Sequence, residues 1–119
     1  MSSLASCISK SKEAIEESGL LAPLVGHVGD GNYHLLILFD GNAGDGLKRA
    51  KELAGRINEI ALSFGGTITG EHGVGTGKKN FMYLEHGSAW KLMGDIKKLF
   101  DPRNIMNPGK LVPDQNSET

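Results

Sequence analysis

Seventeen of the 119 residues are glycine, about twice the ordinary usage, and they gather at 26–31, 41–46, 65–77 and 87. Glycine permits positive φ and close backbone approach. Such clusters therefore mark turns where the chain comes near itself or a ligand. The dense turns are the place to look for function.

Between the clusters the apolar spacing predicts an α+β order of helix, strand, strand, helix, short strand, helix. A helix is expected over 3–18, with Leu4, Ile8 and Ile15 on one side and Gly19 as its stop. "LLAPLVGH" (20–27), broken early by Pro23, and "HLLILF" (34–39) read as strands close enough to form a hairpin. The next helix runs over 46–64, from Asp45 as N-cap to Gly65-Gly66. "TIT" (67–69) reads as a short strand. The last helix spans 88–100, with Ser88 as N-cap, an apolar stripe of Trp90, Met93, Ile96, Leu99 and Phe100, and Asp101-Pro102 as its stop. "NIMNPGKLV" is expected to leave as an irregular strand, and 113–119 as a disordered tail.

Composition excludes several classes. The formal charge of −1 gives no basic field for nucleic acid and no polybasic membrane patch. The longest apolar run falls far short of the roughly 20 residues needed to span a bilayer. The N-terminal stretch lacks the sustained apolar region of a signal peptide. A single cysteine, Cys7, excludes an internal disulfide and suits a reducing, cytoplasmic location. Cys7 itself reads as an ordinary residue of a partly buried helix.

"HVGDGNYH" (27–34) places two histidines around a run of turn residues. On one uninterrupted strand a separation of seven would put the rings on opposite faces. Across a hairpin connection, His27 ends one strand and His34 begins the next, so both can sit at one mouth. Two neutral imidazoles converging there make half a transition-metal site. A plain glycine-rich hairpin whose histidines face solvent or bond to backbone is the other reading.

In "TITGEHGVGTGKK" (67–79), Glu71 and His72 follow the expected strand directly, bracketed by Gly70 and Gly73. Adjacent residues of an extended segment diverge, so one could bind a metal while the other reaches elsewhere. A carboxylate would complete a His, His, Glu set with open coordination positions; a solvated loop is the alternative. The run is not a phosphate-binding loop, because His72 stands where the first glycine would be and Lys79 replaces Ser or Thr. Lys78 and Lys79 are expected to be a solvated or anion-facing pair. Glu85 and His86 repeat the Glu-His-Gly triplet and are expected at the surface. The aromatics at 64, 81, 83, 90 and 100 fall at core-like spacings.

Taken together, "GHVGDGNYH", "GGTITGEHGVGTGKK" and "LFDPRNIMNPGKLV", in that order, resemble the C-terminal part of the FAD-linked 2-hydroxy-acid oxidoreductases. This is the D-lactate dehydrogenase, D-2-hydroxyglutarate dehydrogenase and glycolate oxidase flavoprotein-subunit group of the vanillyl-alcohol-oxidase superfamily. The resemblance covers about Leu20 to Val112. It implies part of a ferredoxin-like substrate (cap) domain, with an antiparallel sheet and helices packed on one face, over residues 1–112. It implies a divalent metal (Zn, Mn or Fe) on His27, His34 and Glu71, His72 as proton acceptor, and Asn107 as a flavin-side contact. It implies FAD as cofactor, bound mainly by a domain outside this chain.

The expected function follows. As part of the full-length enzyme, the chain serves oxidation of a small D-2-hydroxy acid to the 2-oxo acid. Leu36, where some relatives carry a polar residue, favours a lactate or glycolate type over a glutarate type. The fragment alone is expected to be inactive and to self-associate through apolar surface. Its partners are the substrate and the FAD domain, with no nucleic acid and no transmembrane segment, though a peripheral inner-membrane location through an electron acceptor is compatible. A stand-alone ferredoxin-like module that binds a metal, a small ligand or a partner subunit without catalysis is the competing expectation.

Overall fold

The computed structural model describes residues 2–42 and 44–114, and the chain forms two compact units, Met1–Gly66 and Thr67–Thr119. The first holds helix α1 (Leu4–Ser18), strands β1 (Leu24–Val25) and β2 (His34–Leu35), and helix α2 (Gly46–Ser63). The second holds the short helix α3 (Met82–His86), led in by a 3-10 turn at Lys79–Phe81, and helix α4 (Ala89–Phe100). The α+β expectation holds.

In the first unit β1 and β2 pair antiparallel, with Leu24 opposite Leu35 and Val25 opposite His34. One further bridge joins Leu21 to Leu38. The strands are shorter than 20–27 and 34–39 because Pro23 has no N–H and a fixed φ, which interrupts the ladder. Its carbonyl still accepts from the Leu36 amide at 3.1 Å. So small a hairpin is marginal in water by itself. It is held by α1 and α2, which bury one face of it: Ala14, Ala22 and Leu53 form the core, with Ile15, Leu20, Leu35, Ile37, Ile57 and Ile60 packed against them. Burial of Leu53 alone contributes roughly 1.5–3 kcal/mol. The other face of the hairpin leaves Leu21, Val25, Leu36 and Leu38 exposed.

Helix α1 ends as expected, with the Gly19 amide donating to the Glu16 carbonyl at 3.1 Å. Its buried face differs from the expected one. Ile15 packs on the core, but the buried positions are Cys7, Ser11 and Ala14. Small residues let the neighbouring chain come close to the helix, and counting only large apolar side chains misses that. Helix α2 matches its expected span to within a residue, but Asp45 makes no side-chain capping bond, and neither does Ser88 at α4.

The second unit is built around loops. The strand expected at 67–69 is absent, since its backbone groups are taken by side chains. Ile68 N donates to Glu85 Oε2 at 3.1 Å, Ile68 O accepts from Lys78 Nζ at 2.6 Å, and Thr69 N donates to Thr67 Oγ1 at 3.1 Å. The segment after α4 is a succession of turns and not a strand, with Asn104, Asn107 and Leu111 at positive φ. The aromatic positions divide: Tyr83 is 63% and Phe100 80% exposed, so these two are not core residues, and Ile96 and Leu99 of the α4 stripe are exposed as well. Of the stretch expected to be disordered, 115–119 lies outside the described residues.

The glycines of the hairpin connection are not equivalent. A β-carbon at Gly26 would stand 2.4 Å from the Asn32 carbonyl oxygen and 2.5 Å from Tyr33 Cα, whereas one at Gly29 meets nothing within 4 Å. Gly26→Ala is therefore expected to destabilise the chain by about 1–3 kcal/mol, with Gly29→Ala within about 0.5 kcal/mol of the parent. Urea unfolding of both variants measures the difference, and equal midpoints would contradict the close approach.

Candidate functional site

The chain enters the 27–34 turn through Gly26. The His27 carbonyl then accepts two amides, from Asp30 at 2.9 Å and Asn32 at 3.3 Å. Residues Val28–Asp30 form one 3-10 turn, closed by Gly31 at φ 73°, whose amide donates to the Val28 carbonyl at 3.1 Å. This returns the chain so that His34 opens β2. The two imidazole centroids lie 6.3 Å apart with ring planes at 87°. His27 is exposed and His34 half-buried.

That geometry suits shared coordination. Two imidazoles on one ion with metal–nitrogen bonds of about 2.0–2.1 Å have centroids roughly 5 Å apart, so side-chain rotation of about 1 Å closes the pair. Both the turn and the neighbouring imidazoles of the sequence reading are present.

Tyr33, between Asn32 and His34, reaches the first helix. Its hydroxyl lies 3.1 Å from Ser11 Oγ and 3.2 Å from Cys7 Sγ. Burial, and then the contact with Cys7, push its ionisation up to about 12. Cys7 is thus buried in a polar contact and is not a bystander. Nothing in the apolar spacing pointed to these three residues. The available signal was a Cys and a Ser four apart, on one helical face.

In the second unit Glu71 and His72 occupy a turn closed by the Gly73 amide on the Gly70 carbonyl at 3.1 Å. The expected divergence of extended neighbours does not occur, because in the turn His72 Nε2 lies 3.7 Å from Glu71 Oε1. Both side chains are substantially exposed. Lys78 and Lys79, expected to be solvated or anion-facing, are internal struts. Lys78 holds the Ile68 carbonyl; Lys79, 12% exposed, donates to the Gly109 carbonyl at 3.3 Å and to Asp114 at 2.7 Å. Glu85, read as a surface residue, is 12% exposed and accepts the Ile68 amide. His86 lies 3.7 Å from it and is partly buried.

Asn107, at φ 47°, sits on another turn of this unit. The base of that turn is Asp101, buried, whose carboxylate accepts from Lys97 Nζ and from the amides of Ile105 (3.0 Å) and Met106 (2.9 Å). Further on, Leu111 adopts φ 65°, a conformation that costs a non-glycine residue about 1–2 kcal/mol. It is held there by its amide on the Gly75 carbonyl (2.9 Å) and by Trp90 Nε1 on its own carbonyl (2.8 Å). The 70–77 and 105–112 loops are therefore tied to one another. Thus His27 and His34 share one turn of the first unit, Glu71 and His72 share one turn of the second, and Asn107 stands on a separate turn there.

The chain belongs to the family of FAD linked oxidases, whose C-terminal domain it matches over residues 1–111. It is 46% identical over 114 residues to a mitochondrial D-lactate dehydrogenase [cytochrome] of Arabidopsis thaliana, covering 95% of this chain and 20% of that protein. It is 46% identical over 88 residues to the glycolate oxidase subunit GlcD of Escherichia coli K12, covering 73% and 18%. A D-lactate dehydrogenase of Archaeoglobus fulgidus is 39% identical over 104 residues, 87% of this chain and 23% of that one. The chain thus spans about a fifth of the length of these relatives. Among the described residues no helix is long and apolar enough to cross a membrane.

The Asp101 arrangement has a pH signature. Lys97, with the amides of Met106 and Ile105, holds the carboxyl below its ordinary 3.8 against the opposing effect of burial. Its contribution is complete above that ordinary value and is lost as pH falls through the lowered one. Acid titration of stability is expected to show this loss in the parent and not in Asp101→Asn, which should be the less stable of the two at pH 7. Superimposable acid limbs would contradict it.

Proposed function

We propose that this chain is the metal- and substrate-binding part of an FAD-dependent oxidoreductase that converts a small D-2-hydroxy acid, of lactate or glycolate type, to the 2-oxo acid. The observation that carries the reading is the pair of imidazoles, 6.3 Å apart at one turn, in a chain of the FAD-linked oxidase family. The names of the relatives, D-lactate dehydrogenase and glycolate oxidase subunit, support the substrate class. Leu36, an exposed apolar residue two positions after His34, supports a short substrate over one with a second carboxylate.

His27, His34 and Glu71 are the proposed metal ligands, a donor set that suits zinc, manganese or iron. A bound divalent ion supplies Lewis-acid polarisation of the substrate's hydroxyl and carboxylate, and bound flavin supplies the two-electron acceptor. His72, on the same turn as Glu71, is the proposed general base: its imidazole takes the hydroxyl proton as C2 gives up its hydride. Imidazole suits a proton acceptor near neutral pH. Gly70 and Gly73 bracket the Glu71-His72 pair, and the His72 side chain is exposed. Asn107, presented at positive φ on the Asp101-anchored turn, is the proposed flavin-side contact.

Calorimetric titration of the chain with Zn2+ and with Mn2+, beside the His27→Ala, His34→Ala double variant, tests the assignment. One ion per chain is expected, with affinity lower by about 100-fold or more in the variant. Equal binding by both chains, or binding by neither, overturns the histidine-pair assignment.

A further inference from the structure

Helix α1 carries a buried serine, Ser11, and a buried cysteine, Cys7, on the face it turns inward. A helix packed only for apolar burial has no use for the serine, because a buried hydroxyl needs a partner. The partner of both is a single group, the phenol of Tyr33, at 3.1 Å from Ser11 Oγ and 3.2 Å from Cys7 Sγ. Tyr33 immediately precedes His34. Its main chain also lies so close to Gly26, the residue immediately before His27, that a β-carbon there would stand 2.5 Å from Tyr33 Cα and 2.8 Å from its Cβ. One residue therefore touches the approach to both imidazoles and is itself seated on the helix.

We propose that Tyr33 is a positioning residue: its hydroxyl, seated between Cys7 and Ser11 on α1, pins the 27–34 turn so that His27 and His34 converge on one ion. This rests on the reading of the two histidines as metal ligands and adds the element that aims them. A directional polar seat selects one position of the turn, where an apolar contact of equal size would let it slide. Cys7 and Ser11 act on the histidines through the phenol. The role of α1 in this chain is then more than covering the hairpin, because it supplies the fixed point from which the donor pair is held.

The test uses the full chain with two readouts, one of which needs no metal. In the metal-free chain, a nuclear Overhauser contact between the ring protons of His27 and His34 is expected. Tyr33→Phe is expected to abolish or strongly weaken it while the methyl resonances of Ala14 and Leu53 stay in place. Titrated with Zn2+, Tyr33→Phe is expected to bind about tenfold more weakly than the parent, with Tyr83→Phe, an exposed tyrosine, unchanged. Ser11→Ala, which keeps the ring and removes one partner, should show a smaller effect of the same sign, and it carries the test if Tyr33→Phe fails to fold. A ring-to-ring contact as strong as the parent's in a folded Tyr33→Phe chain, or in Ser11→Ala where Tyr33→Phe does not fold, overturns the proposal. If the parent binds no Zn2+ but the ring contact depends on Tyr33, the pin stands and the metal assignment falls. If the parent binds Zn2+ and both variants bind it equally well, the pin falls and the metal assignment stands.

Discussion

The first unit depends on how its hairpin connection closes. The His27 carbonyl accepts two amides from the turn it begins, and the chain re-enters against Gly26 with no room for a side chain. Only then do the few paired residues of β1 and β2 meet in register, and only then is there a face for α1 and α2 to cover. A sheet this small contributes little by itself, so the fold couples turn geometry to helix packing: each is weak without the other. The imidazoles stand at the mouth of this closure because the closure places them there.

The second unit solves a different problem. It has long glycine-containing loops and few backbone partners for them, and polar side chains take over the role that a sheet has elsewhere. Lys78 and Glu85 hold the main chain at Ile68, Lys79 holds Gly109, Trp90 holds Leu111, and Asp101 holds the 105–106 amides. Charged donors and acceptors are suited to this because their hydrogen bonds are stronger than those between neutral groups. The loops that carry Glu71, His72 and Asn107 are consequently fixed by residues that resemble surface charges in a linear reading.

That difference explains what the sequence discloses. The α+β order, the long helices and the hairpin follow from apolar spacing and glycine placement, and the family was legible from three motifs in register. The histidine pair was legible as well, since a turn of that composition reverses the chain whatever lies beyond it. Cys7, Ser11 and Tyr33 were not, because a long-range polar contact leaves no periodic trace. The strand expected at 67–69 failed for a related reason: β-branched residues favour extended backbone, but the partners that captured Ile68 lie 10 and 17 positions away. The exposure of Ile96, Leu99 and Phe100 is the opposite case, an amphipathic stripe correctly read as apolar and yet left uncovered in this chain.

The hairpin has a further property. "LLAPLV" and "LLILF" are apolar at nearly every position, so both faces of each strand are equally greasy. A slip of one residue would exchange inward for outward leucines at almost no hydrophobic cost, and the usual device that fixes strand pairing is missing. The information that selects one pairing lies in the turn, in the residues that also carry the two imidazoles. Topology and the imidazole pair are therefore written in the same eight letters, "HVGDGNYH", and a change there alters both together.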